Sequence, residues 1–362
     1  MAQTNTISRA VFAKLAPHDL LLANLKPTDP AARASRTNGR GPDEARRPRV
    51  NTGSLSHTHG SAIVRNGDTT VICGVRGELL PVSHIPHYRP RARLERDGDG
   101  DAAADAAELR DYDLLVPNIE LATGCAPPFL PGVPPTPLAQ TLSTRVYSLL
   151  HGAALVDVDE LRVWYTRRPR DGDERMGGNE AEHEAGGDGD GDDAPQVMAY
   201  WTLYIDLLFI SFDGNPFDAA WAAVLAALRD TTLPRAWWDA DRGMVLCSRT
   251  EKKPLSVRGL PVASTALVLL EKEGGDGGAG GGKHWVLVDP DRGEEELCRE
   301  SVTVVVDRSS GGTRVRGISK GGGVVVGPKL LRQFVGIAER RWDEFREAIE
   351  AKPDVDVHMA KT

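Results

Sequence analysis

Two groups of arginines in this sequence carry enough local charge to bind a polyanion. Arg89, Arg91 and Arg93 lie within five positions, and a second group lies within 162–170. An acidic stretch follows each group. Closely spaced guanidinium groups can contact phosphates without reading a base sequence. A solvated charged loop explains the same pattern equally well, so the charge pattern leaves both interpretations open.

Two groups of carboxylates are candidates for acid–base chemistry or for binding Mg²⁺. One contains Asp157, Asp159 and Glu160, and the other contains Asp289 and Asp291. The alternation in VDVDELRV predicts that Asp157 and Asp159 share one face of a strand. Polar residues at strand ends and turns are common, and this second interpretation is the favoured one for both groups.

Two further patterns resemble binding motifs but lack essential parts. In GGAGGGKH (277–284), His284 stands after Lys283, where a phosphate-binding loop has Ser or Thr, and a strand follows instead of a helix. The sequence therefore favours a flexible loop without nucleotide. His57 and His59 could bind a metal from one side of a strand, but no third ligand is evident, which favours a surface or turn role. We expect no cofactor.

The charge of the chain is unevenly distributed. The 362 residues carry a net charge of −8, yet segment 171–195 alone contributes −9, and segment 97–107 contains four Asp. Without these segments the chain is mildly basic, so its overall charge does not exclude an acidic partner. The four cysteines form no CxxC pair, and no apolar run reaches the length of a membrane helix. These features predict an intracellular protein with no membrane association.

Strand and helix patterns alternate along the chain and predict an α+β fold. Two short helices are expected near the start, broken near Pro17, and a hairpin is expected at Asn66-Gly67. Apolar residues at helical spacing predict a helix within 136–152. Another helix is expected to begin at Pro216 with Asn215 as its N-cap.

Composition suggests three parts. We expect an N-terminal helical segment (1–30), a first part of the main domain (31–250) and a C-terminal part (251–362). The segments 97–107 and 171–195 are predicted to be disordered acidic inserts. The last part contains a Gly-rich loop (273–282) and an amphipathic helix (328–351).

Four blocks of the sequence together resemble a known family. The blocks are RVNTGSLSHTHGSAIVRNGDTTVICGVRGEL, LLVPNIELATGCAPPFLPGVPPTPLAQTLSTRVYSLL, YIDLLFISFDGNPFDAAWAAVLAAL and HWVLVDPDRGEEEL. In this order they are similar to RNase PH-type domains, and in particular to the subgroup that forms the ring of the eukaryotic RNA exosome. The resemblance extends over about residues 7–350 apart from the inserts.

The resemblance implies both a fold and an assembly. The fold would be an RNase PH fold of two βαβ-like halves with mixed sheets and packed helices. Six related subunits would form a hetero-hexameric ring through which single-stranded RNA passes. Cap proteins with OB and KH domains and separate nuclease subunits would be further partners. The location implied is the nucleus, nucleolus and cytoplasm.

The resemblance also implies where a catalytic site would lie. Active relatives carry Asp-Gly-Gly-Thr-Arg before a helix, whereas this chain has Asp213-Gly214-Asn215-Pro216-Phe217. Active relatives also place two aspartates six residues apart. Asp289 matches the second of these, and Lys283 stands at the first. Positions Asp213, Phe217, Lys283 and Asp289 thus indicate a degenerate site and a subunit that is not an enzyme.

Three functions remain as hypotheses from the sequence. The first is a non-catalytic ring subunit for 3′-to-5′ RNA processing and decay, with Arg89, Arg91, Arg93 and Arg145 as candidate RNA contacts. The second is an active phosphate-dependent 3′-exoribonuclease, and the third is a free RNA-binding protein. Interfaces with ring neighbours would use aromatic anchors. The candidate anchors are Trp201, Trp221 and Trp342.

Overall fold

The protein is described by a computed structural model that covers residues 8–27, 31–89, 99–132, 134–165, 195–270 and 284–351. For residues 9 and 99–103 it describes only the backbone. The helices are α1 (Arg9–Leu15), α2 (Pro17–Leu25), α3 (Asp99–Asp111), α4 (Pro137–Gly152), α5 (Val158–Leu161), α6 (Pro216–Asp230), α7 (Arg292–Leu297) and α8 (Pro328–Glu350). Across these ranges, no helix is long and apolar enough to cross a membrane.

The strands form two sheets and a separate ribbon. The first sheet contains β1 (Pro48–Thr52), β2 (Gly60–Asn66), β3 (Thr69–Pro81), β4 (Leu115–Leu121), β5 (Arg162–Tyr165) and β6 (Gln196–Ser211). The ribbon pairs β7 (Thr232–Asp239) with β8 (Met244–Pro254). The second sheet contains β9 (Val262–Leu270), β10 (His284–Val288), β11 (Ser301–Asp307) and β12 (Arg314–Gly321).

Each sheet contains one βαβ-like unit. The first sheet has the order β1-β2-β3-β6-β4, with β5 also paired to β6. Strand β4 runs parallel to β6, and α4 lies between them in the chain. In the second sheet, of order β10-β9-β11-β12, both β10 and β11 are antiparallel to β9 and therefore run the same way, with α7 between them. The predicted α+β class with two βαβ-like halves is confirmed.

Helix α6 lies between the two sheets and is buried on all sides. Every residue from Pro216 to Leu228 is buried, and the helix contacts β2 and β3 of the first sheet and β9 of the second. Its many alanines let the strands approach closely, while the fully buried Trp221 fills the remaining space and donates its Nε1–H to the Pro261 carbonyl at 2.6 Å. One shared core thus joins the two halves.

Helices α8 and α2 cover the opposite faces of the second sheet. Phe334 and Ile337 of α8 pack on the side of Val304, whereas Leu21 and Leu25 of α2 pack on the side of Leu267. Further along, α8 enters the main core with Trp342 and Phe345. The expected amphipathic C-terminal helix is present as Pro328–Glu350. The predicted pair of short N-terminal helices is also confirmed, with α2 beginning at Pro17.

Several expectations from the sequence are wrong in detail. Residues 99–107 of the supposed disordered insert belong to helix α3, because the alanines favour a helix and Leu109 is buried in the core. The boundary expected at 250 falls inside β8. The three tryptophans Trp201, Trp221 and Trp342 are buried within this chain and are not exposed anchors. Segments 171–194 and 273–282 lie outside the described residues.

The acidic group near residue 157 also differs from the prediction. Asp157 and Asp159 do not share a strand face, because Asp157 is the N-cap of the short helix α5 and accepts a hydrogen bond from the Asp159 backbone N–H at 3.2 Å. Asp159 binds Arg162, and Asp157 binds Arg258. Both carboxylates are therefore engaged in ion pairs.

Arg162 joins α3 to the first sheet through a nearly buried ion pair. Its Nε lies 3.2 Å from Glu108 Oε1, and Tyr200 donates its hydroxyl hydrogen to the same carboxylate. The substitution Arg162→Met would remove this guanidinium charge from the Glu108 carboxylate. We expect a loss of about 3 kcal/mol in the free energy of unfolding, measured with urea. The exposed neighbour Arg110→Met should lose less than about 0.5 kcal/mol. Equal losses for the two variants would contradict this role.

Candidate functional site

The turn from β6 into α6 brings the two halves of the molecule into contact. It consists of Asp213, Gly214, Asn215 and Pro216, and both Gly214 and Asn215 have positive φ angles of 77° and 47°. A Cβ atom on Gly214 would lie 2.4–2.7 Å from backbone atoms of residues 290–292 in the second half. Only glycine therefore allows this approach.

Asn215 is the N-cap of α6 by position, as predicted, but its side chain has a different role. Its Nδ2 donates to Asp218 Oδ2 at 2.8 Å and to Asp289 Oδ1 at 2.7 Å. Its backbone N–H donates to Glu295 Oε1 at 2.8 Å. The left-handed backbone thus directs one residue to three carboxylates, and the helix receives no side-chain cap.

Asp289 is completely buried at the end of β10 and is paired with Arg46. The Arg46 Nε and Nη2 atoms lie 2.8 and 2.9 Å from the two carboxylate oxygens of Asp289, and Asn66 donates to Oδ1 at 3.0 Å. Burial alone would raise the pKa of Asp289. The hydrogen bonds and charge of Arg46 outweigh that effect and lower the pKa to about 2. Asp289 is therefore an ionised group closed off from solvent.

Glu295 is a second carboxylate at this turn that the sequence analysis missed. It follows Asp289 by six residues, whereas the family pattern places the other aspartate six residues before Asp289, at Lys283. Lys283 itself lies outside the described residues. Burial raises the pKa of Glu295 to about 7, although the N–H of Asn215 acts in the opposite direction. The structure therefore brings together a carboxylate pair, Asp289 and Glu295, on the two sides of Asn215.

The raised pKa of Glu295 gives a signed prediction for stability. The pKa of Glu295 is about 7 in the folded protein, compared with the ordinary value of 4.5 for a glutamate. The protonated carboxyl therefore contributes to the free energy of unfolding below pH 4.5, and this contribution is lost as the pH rises through 7. Glu295→Gln removes the charge but keeps an oxygen for the Asn215 N–H. We expect the variant to be about 2 kcal/mol more stable than the parent at pH 8 and nearly equal at pH 5.

Chemical unfolding at the two pH values measures this difference. Glu296→Gln is the matched control, because Glu296 is exposed on the same short helix and pairs only with Arg292 among the contacts described. The control should shift stability equally at both pH values. A pH-independent effect of Glu295→Gln would show that its carboxyl titrates normally.

A cleft of about 450 Å³ opens between α4, the start of α6 and the strands β11 and β12. Arg145 and Arg316 bring positive charge to it, and Phe217 lies beneath Arg145. The guanidinium carbon of Arg145 is 3.9 Å from the centroid of the Phe217 ring, and its Nη2 donates to Thr303 Oγ1 at 2.8 Å. Burial lowers the pKa of Arg145, and the charge of Asp218 opposes this effect.

A chain of hydrogen bonds connects this cleft to the turn. Thr303 Oγ1 lies 2.9 Å from Thr265 Oγ1, and Thr265 donates its hydroxyl and its backbone N–H to the two oxygens of Asp218. Asp218 in turn accepts from Asn215. Burial raises the pKa of Asp218, whereas these hydrogen bonds lower it. The chain fixes Arg145 relative to Asp289 across both halves.

The other predicted residues lie away from this site. Arg89 is exposed at the end of a described range, and its backbone N–H is 3.5 Å from the Tyr112 hydroxyl. Arg91 and Arg93 lie outside the described residues. Asp291 caps α7 through a reciprocal pair with Glu294.

Of the two histidines considered as metal ligands, His57 and His59, the second has a structural role. His59 accepts a hydrogen bond from the Gly77 N–H through Nδ1 at 2.9 Å, and its ring lies edge-on to Trp201. In the ranges that the structure describes, no group of three or more His, Cys, Asp or Glu side chains is arranged to hold a metal ion.

This chain belongs to the 3′ exoribonuclease family, whose first domain matches residues 44–234. Among curated relatives, it is 26% identical to the exosome complex component rrp43 of Schizosaccharomyces pombe over 92% of this chain and 95% of that protein. It is 27% identical to the exosome complex component Rrp42 of Methanopyrus kandleri over 94% and 98% of the two chains.

Solved structures support the fold. A chain of the Archaeoglobus fulgidus exosome with RNA bound to the active site superimposes with a TM-score of 0.57, at 23% identity over 91% of this chain and 96% of that chain. A chain of an archaeal exosome core gives a TM-score of 0.55, at 22% identity over the same shares. The two-sheet architecture with its central helix is therefore that of the family.

Proposed function

We propose that this protein is a non-catalytic structural subunit of an RNA exosome core ring. It helps to form the channel through which single-stranded RNA passes for 3′-to-5′ processing and decay, including maturation of ribosomal RNA. The support is family membership together with relatives, named as exosome complex components, that match more than nine-tenths of both chains. The proposed role follows the name of the rrp43 relative.

The proposal includes partners and a location. Its ring neighbours are other subunits with the RNase PH fold, forming a hetero-hexamer. Cap proteins with OB and KH domains and separate nuclease subunits complete the assembly. The protein works in the nucleus, nucleolus and cytoplasm, and it needs no cofactor of its own.

The observation that carries the non-catalytic assignment is the arrangement at the start of α6. Phosphorolysis needs an anion site, and the first turn of a helix supplies one through free N–H groups and a nearby cation. Here Pro216 has no N–H to donate, and Phe217 carries no charge and is buried beneath Arg145. The first turn of α6 therefore lacks one backbone N–H and has no basic side chain at position 217, which supports the non-catalytic assignment.

RNA contacts are proposed for Arg89, Arg91, Arg93 and Arg145. The exposed side chain of Arg89 supports the first group, since guanidinium groups at a surface loop can reach phosphates. Arg145 already donates to Thr303, and it lines the cleft.

The second candidate function is an active phosphate-dependent exoribonuclease, and the pair of Asp289 and Glu295 favours it. A carboxylate pair with separated pKa values, about 2 and about 7, is a pattern found at acid–base sites. Against this, Asp289 is sealed by Arg46, Asn66 and Asn215. An assay for the release of nucleoside diphosphates distinguishes the two functions.

The assay incubates the purified full-length chain with labelled single-stranded RNA, Mg²⁺ and phosphate. We expect no release of nucleoside diphosphates, and their release at a rate proportional to protein concentration would overturn the non-catalytic assignment.

The assembly is tested by the native mass of the complex recovered on a tagged copy. We expect one large complex containing other subunits of this family. A monomer that binds RNA with strong salt dependence would instead favour a free RNA-binding protein.

A further inference from the structure

Three carboxylates from different elements meet at Asn215, in the junction between the two halves. The three are Asp218 on α6, Asp289 after β10 and Glu295 on α7. Each accepts a hydrogen bond from Asn215. The contact is close, because a Cβ atom on Gly214 would lie 2.4–2.7 Å from the backbone of residues 290–292. The junction, which comprises residues 213–218 and 289–295, therefore holds three acidic groups around one residue.

Two of these carboxylates have partners that stabilise their charge. Arg46 donates to both oxygens of Asp289, and Arg40 Nη1 lies 3.4 Å from the same carboxylate. Asp218 is buried and has no cation within ion-pair distance among the described side chains. It accepts three hydrogen bonds, however, and two of them come from Thr265. Donors that bond a carboxylate favour its charged form and oppose the effect of burial.

Glu295 has the fewest partners of the three. Within the described ranges it accepts only the N–H of Asn215, and it is partly exposed, so it can exchange a proton with water. Its helix neighbours Glu294 and Glu296 are each paired with an arginine. The charged groups that face Glu295 from the other elements are Asp218, Asp289 and Arg46.

The arrangement determines where a proton is held. Carboxylates that share a site do not all ionise readily, and the proton stays on the group with the fewest stabilising partners. In this junction that group is Glu295. Its pKa of about 7, raised by burial and by the two aspartates, agrees with this order.

We propose that the junction is a pH-sensitive contact between the two halves, closed while Glu295 carries a proton and locally open once it is ionised. Ionised Glu295 is repelled by Asp218 and Asp289, and the single N–H of Asn215 does not compensate. Opening separates the turn from α7 while the core around α6 stays packed. It also frees the first member of the hydrogen-bond chain that leads from Asn215 to Arg145, so the cleft beside α4 responds to the same proton. The inference requires no partner subunit.

The sign and size of the effect follow from proton linkage. The pKa is about 7 in the closed junction, and an open junction returns it to the ordinary 4.5 of a glutamate. A group whose pKa is higher in the closed form favours closure at low pH, and this contribution is lost as the pH rises through 7. The equilibrium constant for opening should therefore increase about tenfold between pH 6 and pH 8.

Hydrogen exchange of the full-length chain tests this, because the Asn215 amide donates to Glu295 and reports whether the contact is closed. Exchange is followed by mass spectrometry with overlapping peptides that isolate this amide, and the rates are corrected for the pH dependence of intrinsic exchange. We expect the protection of the Asn215 amide to fall about tenfold between pH 6 and pH 8. The amides of Trp221 and Leu225 in the core of α6 should change less than about twofold.

Two variants on the same helix identify the titrating group. Glu295→Gln keeps an oxygen for the Asn215 N–H but cannot ionise, so protection should differ less than about twofold between the two pH values. Glu296→Gln is the matched control and should show the change of the parent. If Glu295→Gln does not fold, as judged by circular dichroism, Asp218→Asn removes one repelling charge and should at least halve the change.

Three results would overturn the inference. Equal protection of the Asn215 amide at pH 6 and pH 8 in the parent would show that the junction does not open. The same change in the parent and in Glu295→Gln would assign the titration to another group, such as Asp218. Loss of protection throughout α6 at pH 8 would show unfolding of the core instead of a local opening. All three leave the proposed ring function untouched.

Discussion

Replacing Arg46→Met is expected to cost this protein about 4 kcal/mol of its free energy of unfolding at pH 7. Arg46 donates to both oxygens of Asp289, and its Nη1 reaches the Asp213 carbonyl at 2.8 Å. Methionine fills similar space but removes the closer counter-charge of the buried Asp289, which keeps the more distant Arg40 Nη1 at 3.4 Å. Asp289 would then protonate at a pH well above its parent value, so the loss should shrink as the pH falls from 7 to 5.

Urea unfolding at both pH values measures this effect. Arg47→Met is the control, because Arg47 is the next residue and is exposed, and it should change stability by less than about 0.5 kcal/mol. Adding Asp289→Asn to Arg46→Met removes the buried charge and should restore about half of the loss. A loss below about 1 kcal/mol for Arg46→Met would show that Asp289 does not depend on this ion pair.

Restoring the arginine of active relatives at position 217 should damage the protein without creating an enzyme. In the variant Phe217→Arg, the new guanidinium would enter a buried position whose ring now lies 3.9 Å from the charge centre of Arg145. The carboxylate of the next residue, Asp218, already accepts hydrogen bonds from Asn215 and Thr265. We expect a loss of about 3 kcal/mol in stability and no release of nucleoside diphosphates.

Two variants separate charge repulsion from lost packing. Phe217→Leu removes the ring without adding charge and should lose about 1 kcal/mol. Phe217→Arg combined with Arg145→Met leaves one cation in the cleft and should regain most of the stability lost by the single variant. Phosphorolysis by Phe217→Arg alone would show that position 217 is the main defect of the site. In that case Arg145 would be no obstacle to the anion.

Patterns in the sequence correctly predicted the elements whose geometry depends on residues close together in the chain. The hairpin predicted at Asn66-Gly67 is present, but Asn66 pairs with Thr69, so the two loop residues are Gly67 and Asp68; the φ of 61° at Gly67 is one that glycine adopts readily. Helix α6 begins at Pro216 as expected. Helix α3 was missed because its first half is rich in Asp and Gly, while the contacts that hold it, through Glu108 and Leu109, involve distant residues.

The candidate site was only partly predictable for the same reason. Asp213, Phe217 and Asp289 were identified from a family pattern. The partner of Asp289, Arg46, stands 243 residues earlier in the chain, and no local signal joins them. Glu295 could have been found by counting six residues forward from Asp289 as well as backward. The contact of Arg145 with Phe217 required the fold, since α4 and α6 meet only in three dimensions.

Helix α6 has a consequence for how the chain is made. It is synthesised before β9, the strand of the second sheet that it contacts. Until β9 has left the ribosome, one side of a helix that is buried in the native state from Pro216 to Leu228 lacks its native packing partner. The nascent first half therefore exposes apolar surface, and we expect chaperones to bind it. We also expect that neither half can be recovered as a soluble fragment.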